Sequence, residues 1–227
     1  MATIRAVDLT AGVTLDQVVE LTFTIGSIDP VRSTVVVTPT SLTADGIEAA
    51  AVTATIVDNQ GRALPGHQLR LSVSGSGNTI VGPNPATSDA AGQAAWTLSS
   101  TKAEVKTLSV VDQTAGVTLT PHPQVTFHPG PLDPDHSLVT PATLFGIADG
   151  ATPVSIVVRA FDSFNNPIPG LNVQLFTTGS ATAVQPAAST DGQGRASGTV
   201  ADAVAEQVTL SATIDGQLIP DQGRVTF

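Results

Sequence analysis

Cysteine and tyrosine are absent from this chain, tryptophan and methionine occur once each, and basic residues are scarce. Without cysteine neither a disulfide nor a thiolate metal site can form. Nine Lys and Arg stand against 19 Asp and Glu, a formal net charge of −10. No basic stripe exists to displace counterions from phosphates, so nucleic acid is not an expected partner. No apolar run approaches the roughly 20 residues that cross a bilayer as a helix, and membrane insertion is not expected. The opening MATIRAVDLTAGVTL lacks the basic-then-apolar order of a secretory signal. No window sustains the three-and-four spacing of an amphipathic helix, which excludes long helices.

The elements of catalysis are missing too. His67, His122, His128 and His136 are scattered, with no H-x-x-x-H spacing for zinc, and no G-x-S-x-G elbow accompanies the many serines. Gly75-Ser76-Gly77 has no following Lys or helix and reads as a hairpin tip rather than a phosphate cradle. The expectation is therefore no enzyme, no catalytic residue and no cofactor. Sugar platforms present exposed rings; Phe164, in the turn FDSFNNP, is the one aromatic placed to do so.

What is present is 20 Gly, 16 Pro and abundant Thr, Val, Ala and Ser, the mixture of short strands and tight turns. It repeats. Asp45-Gly46 returns as Asp149-Gly150, Asp58 as Asp162 and Pro65-Gly66 as Pro169-Gly170, at one offset of 104 residues (162 − 58). The segment from Thr3, TIRAVDLTAGVTL, matches TLSVVDQTAGVTL from Thr107, and Asp29-Pro30 matches Asp133-Pro134. The chain thus divides into residues 1–30, the last strands of a preceding repeat, and two units at 31–130 and 131–227.

In the first unit strands are expected over Thr34–Val37, Ala50–Val57, Gln68–Val73, Gln93–Ser99 and Val105–Val111, and over Gly116–Phe127 with a break at Pro121 and Pro123. Val52, Ala54 and Ile56 alternate with Thr53 and Thr55, and Val154, Ile156 and Val158 keep that register in the second unit. A period of two with one apolar face favours antiparallel sheets packed as a sandwich. Trp96, in register with Ala94 and Leu98, is expected to be the largest core side chain of its unit. Gly198 occupies its place in the second, where Phe161, Phe164 and Phe176 are candidates to fill the space. The offset falls to 102 at Asp191 (191 − 89) and 100 at Phe227 (227 − 127), so deletions are expected near Gly179–Ser189 and Asp215–Gln222. Ten-residue strands would make each unit roughly 35 to 45 Å long.

The ADG turn, the strand ending in Asp, the Pro-Gly turn and the T-D-x-x-G-x-A run appear as Asp45, Gly46, Asp58, Pro65, Gly66, Asp89, Gly92 and Ala94, and again as Asp149, Gly150, Asp162, Pro169, Gly170, Asp191, Gly194 and Ala196. This pattern closely resembles the bacterial immunoglobulin-like domain of group 1, the repeat of invasin and intimin adhesins. Phe145-Gly146-Ile147 departs from it just before Asp149. The resemblance implies an all-β chain of tandem immunoglobulin-like Greek-key sandwiches. It also implies a spacer on a bacterial cell surface, extracellular, with neighbouring repeats or a protein partner. A subunit of an extracellular filament or phage virion, and a carbohydrate-binding accessory module, are the alternatives.

The repeated Asp-Gly and Pro-Gly pairs read as structural turns, where Asp accepts hydrogen bonds from its own turn. Asp133 and Asp135, in LDPDHS between the units, are the calcium candidates, although two carboxylates fall short of six to eight oxygen ligands. The short links Gly26–Pro30 and Pro129–Pro134 imply a rod with restricted bending. Leu21 and Phe23 carry an apolar face with no sheet of their own to cover, so residues 2–25 are either the stump of a repeat or a strand donor in self-assembly.

Overall fold

The alternating apolar residues become the inner faces of packed sheets in the computed structural model, which describes residues 2–4, 6–14, 19–21, 26–141 and 143–227. Among these residues every element is a strand.

At the N-terminus β1 (Ala2–Ile4) pairs antiparallel with β4 (Val19–Leu21), and β2 (Val7–Asp8) with β3 (Val13–Thr14). Ala2 faces Leu21 as Lys106 faces Val125 in the first unit, and Val7 faces Thr14 as Val111 faces Thr118. Ile4 is 50% exposed while its counterpart Leu108 is fully buried, because among the described residues no second sheet packs on this strand pair. The Leu21 side chain and all of Phe23 lie outside the described residues.

The first unit holds β5 (Thr34–Thr38), β6 (Ser41–Thr43), β7 (Ala50–Thr55), β8 (Gln68–Val73), β9 (Asn78–Val81), β10 (Ala86–Thr87), β11 (Gln93–Ser100), β12 (Val105–Asp112), β13 (Val117–Thr118) and β14 (Gln124–His128). One sheet runs β5-β7-β11-β9; the other runs β10-β8-β12-β14-β6, with β13 also on β12. All pairings are antiparallel except β14 with β6, where Phe127 lies beside Leu42 in parallel register. The expected last strand is split, since Pro121 and Pro123 have no N–H for the ladder. β7 stops at Thr55 rather than Val57: Ile56 N–H turns to the Gly92 carbonyl, and Val57 bridges to Ala63. The longest strands hold eight residues rather than ten, because Asp-closed turns cut them off.

The second unit holds β15 (Leu138–Pro141), β16 (Val154–Arg159), β17 (Val173–Thr177), β18 (Thr182–Val184), β19 (Arg195–Ala201), β20 (Gln207–Ile214), β21 (Gln217–Leu218) and β22 (Gly223–Thr226). Its sheets run β15-β16-β19-β18 and β17-β20-β21, with β22 also on β20. Both deletions fall in connections. Asp215 (φ 45°) and Gly216 (φ 81°) make a two-residue hairpin turn where the first unit uses four residues, Gln113–Gly116. In the other deletion the Gln185 side-chain amide bonds both the N–H and the carbonyl of Leu175, as the shorter Asn84 does for Leu71.

Trp96 is 3% exposed between Ala94 and Leu98, with its indole N–H on the Pro83 carbonyl at 2.7 Å. The phenylalanines do not replace it. Phe164 is 43% and Phe176 47% exposed, and Phe161 is only partly buried. Phe176 follows Leu175 on β17, and neighbouring residues of a strand point to opposite faces. Instead Leu175 leans inward: a Cβ on Gly198 would stand 2.5 Å from Leu175 Cδ1 and 2.5 Å from the Val184 carbonyl oxygen. Truncating Trp96→Ala is expected to lower the stability of the first unit by about 3–5 kcal/mol, and the second calorimetric transition should not move.

Candidate functional site at the joint between the units

Two aspartates organise the ends of the units. Asp58 and Asp162 stand at equivalent turns, 0% and 1% exposed, and a buried carboxylate is tolerated only if its oxygens are satisfied. Asp162 Oδ1 accepts the N–H groups of Phe164 (2.9 Å) and Asn166 (2.8 Å). Its Oδ2 accepts the Asn166 side-chain amide (2.8 Å) and the N–H of Gly130 in the linker (2.9 Å). Asp58 does the same with Gln60 and Arg62 N–H groups on Oδ1, both at 2.9 Å, and Gly26 N–H on Oδ2 at 3.1 Å. Each linker is therefore sewn to the unit that follows it. A second stitch repeats as well. Ser33 Oγ donates to the Asp29 carbonyl and accepts from Val57 N–H; Ser137 Oγ donates to the Asp133 carbonyl and accepts from Phe161 N–H.

The two turns diverge four residues on. Asn166 is fully buried and reaches across the joint: its Nδ2 donates to the Thr101 carbonyl at 3.0 Å and its Oδ1 accepts from Ala103 N–H at 2.9 Å. An amide side chain can present one donor and one acceptor side by side, which is what that loop of the first unit asks for. Val105, Phe127 and Pro129 of the first unit and Pro167 and Pro169 of the second line a shallow recess beside it. In the first unit the corresponding residue is Arg62, whose Nε and Nη2 both lie 2.7 Å from Asp58 Oδ2. Burial pushes the Asp58 carboxyl up, but the Arg62 guanidinium and three backbone N–H groups outweigh it and hold the group far below the usual carboxylate range.

The other residues singled out from sequence close their own turns. Asp45 Oδ1 accepts from Ile47 and Glu48 N–H, and Asp149 Oδ1 from Ala151 and Thr152 N–H. These contacts, led by Glu48 and Thr152 respectively, pull both carboxyls below their ordinary values. Asp89 and Asp191 close tight turns before Gln93 and Arg195. Gly46, Gly66, Gly150 and Gly170 all have φ between 68° and 84°, the left-handed region that favours glycine; Pro65 and Pro169 precede two of them. Asp133 accepts from Asp135 N–H at 2.9 Å, and its Oδ2 lies 2.9 Å from His136 Nδ1. Asp135 does not converge with it on a common centre, and no group of three or more His, Cys, Asp or Glu is gathered among the described residues. Asn166 was missed in sequence because an Asn in a turn has a local explanation; the hint was that it replaces Arg62 at one offset from an otherwise repeated block.

Two β-sandwiches in tandem, with the linker bonded into the following unit, define a tandem immunoglobulin-like protein. The sequence model of the bacterial Ig-like domain (group 1) matches residues 32–128 and 138–227, and the chain belongs to that family. No curated protein matches it. Among solved structures it is similar to invasin, described as a bacterial integrin-binding protein, at 23% identity and a TM-score of 0.60, over 93% of this chain and 43% of that one. It is also similar to InvD of Yersinia pseudotuberculosis, at 21% identity and a TM-score of 0.59, over 86% of this chain and 57% of that one. The chain thus spans about half the length of these structures, and at such identities the likeness is one of fold.

Two outcomes test the joint. Asn166→Ala removes both cross-joint bonds, each contributing about 0.5–1.5 kcal/mol. Distances between spin labels on the two units should then spread; the first unit should keep its melting transition, while the second, whose buried Asp162 also loses the Asn166 amide, should melt lower. The depressed Asp58 group contributes stability that is complete above the unfolded aspartate pKa near 4 and is lost as pH falls through the folded value. Melting followed from about pH 6 down to pH 2 should show a shallower acid loss for Asp58→Asn than for the parent chain.

Proposed function

We propose that this chain is a non-enzymatic spacer of a bacterial surface adhesin, holding a distal binding module away from the cell. The observation that carries this reading is the joint: Asp162 takes the linker N–H and Asn166 grips the preceding unit, so the link between sandwiches is restrained. The acidic surface keeps such units apart in solution. The fold shared with invasin and InvD is consistent with an extracellular setting. On this reading the partners are neighbouring repeats and a host-facing protein module, with no catalytic residue and no bound cofactor needed.

One observation favours a packing role instead. Leu144, Phe145 and Ile147 are 65%, 75% and 62% exposed, an apolar cluster where the first unit has Ser41 and Thr43. It would serve a filament or virion subunit, as would the apolar face that Leu21 and Phe23 give residues 2–25 in sequence. Phe164, half exposed in its turn, is the group a carbohydrate-binding role would use. Small-angle scattering with light scattering separates the readings. The spacer gives a monomer mass and an elongated profile that stays unchanged with concentration. Concentration-dependent polymers overturn it in favour of the filament. Retention of the chain on insoluble polysaccharide, lost in Phe164→Ala, overturns it in favour of the sugar module.

A further inference from the structure

The two units differ sharply at one corner of the sandwich, the end of β11 and β19. In the first unit Lys106 is fully buried on β12, and its ammonium is held by the Ser76 carbonyl and by Glu104 Oε1 at 2.5 Å. A lysine so deep is sustained only by such partners. The second unit keeps the frame and loses the cation. Val208 replaces Lys106, in the same register against Val225 as Lys106 against Val125. Ser180 and Glu206 stand where Ser76 and Glu104 stood, and a Cβ on the preceding glycine would collide with the glutamate carboxylate in both units. At the place of the buried Ser100 the second unit has Asp202.

The result is a corner with an excess of negative charge. Ser180 Oγ lies 2.7 Å from Asp202 Oδ1 and 2.8 Å from Glu206 Oε1, yet one hydroxyl carries one proton and can donate to only one of them. The Val204 and Ser180 backbone N–H groups reach Asp202 Oδ1 and Glu206 Oε1. Nothing reaches Asp202 Oδ2, which is buried without a hydrogen-bond partner on a residue only 2% exposed. Burial pushes the Asp202 carboxyl up, but the Val204 N–H, the Ser180 hydroxyl and the neighbouring Glu206 side chain outweigh it and draw it below its ordinary value. Neither carboxylate is in an ion pair among the described residues. Beside Asp202 and Ser180 opens a recess of about 260 Å³, enough for an ion and its remaining waters.

We propose that the second unit binds a divalent cation of the calcium type between Asp202 and Glu206, in the place that the Lys106 ammonium fills in the first unit. Two carboxylates supply up to four oxygens, the Ser180 hydroxyl oxygen is at hand, and waters in the recess complete the shell that a hard cation requires. Bound calcium also resolves the proton conflict, since Ser180 can then donate to one carboxylate while its oxygen lone pair meets the ion. This site is separate from Asp133 and Asp135 in the linker.

The test uses the full chain, stripped with chelator and then titrated with calcium chloride. The expected result is one binding event at Asp202, with the melting temperature of the second unit rising by roughly 5 to 10 °C once calcium exceeds its dissociation constant about tenfold. Asp202→Ser, which restores the residue of the first unit, should abolish both. Val208→Lys should also abolish calcium binding, because the ammonium occupies the site, while its second unit melts at a temperature unaffected by chelator. The proposal is overturned if no heat of binding appears up to about 10 mM calcium, above the range of extracellular calcium modules. It is equally overturned if both variants bind calcium like the parent, if sodium at equal ionic strength gives the same rise, or if the corner responds only to pH, as a proton shared between the carboxylates would.

Discussion

A carboxylate with no access to water must find donors, and in this chain that requirement shapes each unit. Asp58 and Asp162 sit at the point where a strand ends, a turn begins and the linker arrives. Each gathers N–H groups from its turn, a side chain four residues on and a glycine N–H from the incoming linker. Removing any one contributor would leave the buried charge short of partners, so turn geometry, linker path and strand end are held to one another. The apolar cores drive collapse, but they are non-directional. It is the aspartates that give the units a defined way of following one another.

Around that shared frame the two units solve their interiors differently, and the exchanges come in compensating sets. Trp96 gives way to Gly198, and Leu175 with β18 moves into the room the indole would occupy. His67 and the buried Asp112, 2.7 Å apart, correspond to Leu171 and Ile214, and there Leu171 packs against the apolar core to which Ile214 belongs. Gly146 stands where Leu42 packs in the first unit, and a Cβ there would be 2.5 Å from the Phe227 ring; the phenylalanine takes the leucine's place. The Lys106, Ser100 and Glu104 corner is the exception, since its second version exchanges a cation for a carboxylate without an internal counterpart. Close packing explains the pattern: a volume or charge lost on one strand must be restored by its neighbours.

Much of this was legible from the residues. The offset of 104 disclosed two copies of one repeated block. The period of two identified Val52, Ala54 and Ile56 as inward, and the loss of that offset pointed to the connections where the chain is shorter. The same alternation held the answer for Phe176, which follows the inward Leu175 and so faces solvent; choosing fillers by size rather than register was the error. Three features lay deeper. Lys106 shares the inward register of Leu108 and Val110, but a lysine in a core is intelligible only beside the Ser76 carbonyl, which the sequence places thirty residues away. The side-chain bridges of Asn84 and Gln185 to a neighbouring strand depend on loop paths that no periodicity records. Asn166 meets its partners across the joint, on a surface formed by residues some 65 positions earlier, so its role emerges only when two folded units meet.

The contrast between Asn166 and Arg62 bears on how an array of such units is tuned. Each residue satisfies the buried aspartate of its own turn, and neither contributes to an apolar core. One turns its remaining polar atoms toward the preceding unit; the other keeps its guanidinium on its own turn, half in solvent. The position four residues after the buried aspartate can thus satisfy that carboxylate alone or also bond the preceding unit, so a cross-unit bond is gained or lost by the choice of one side chain within a shared turn.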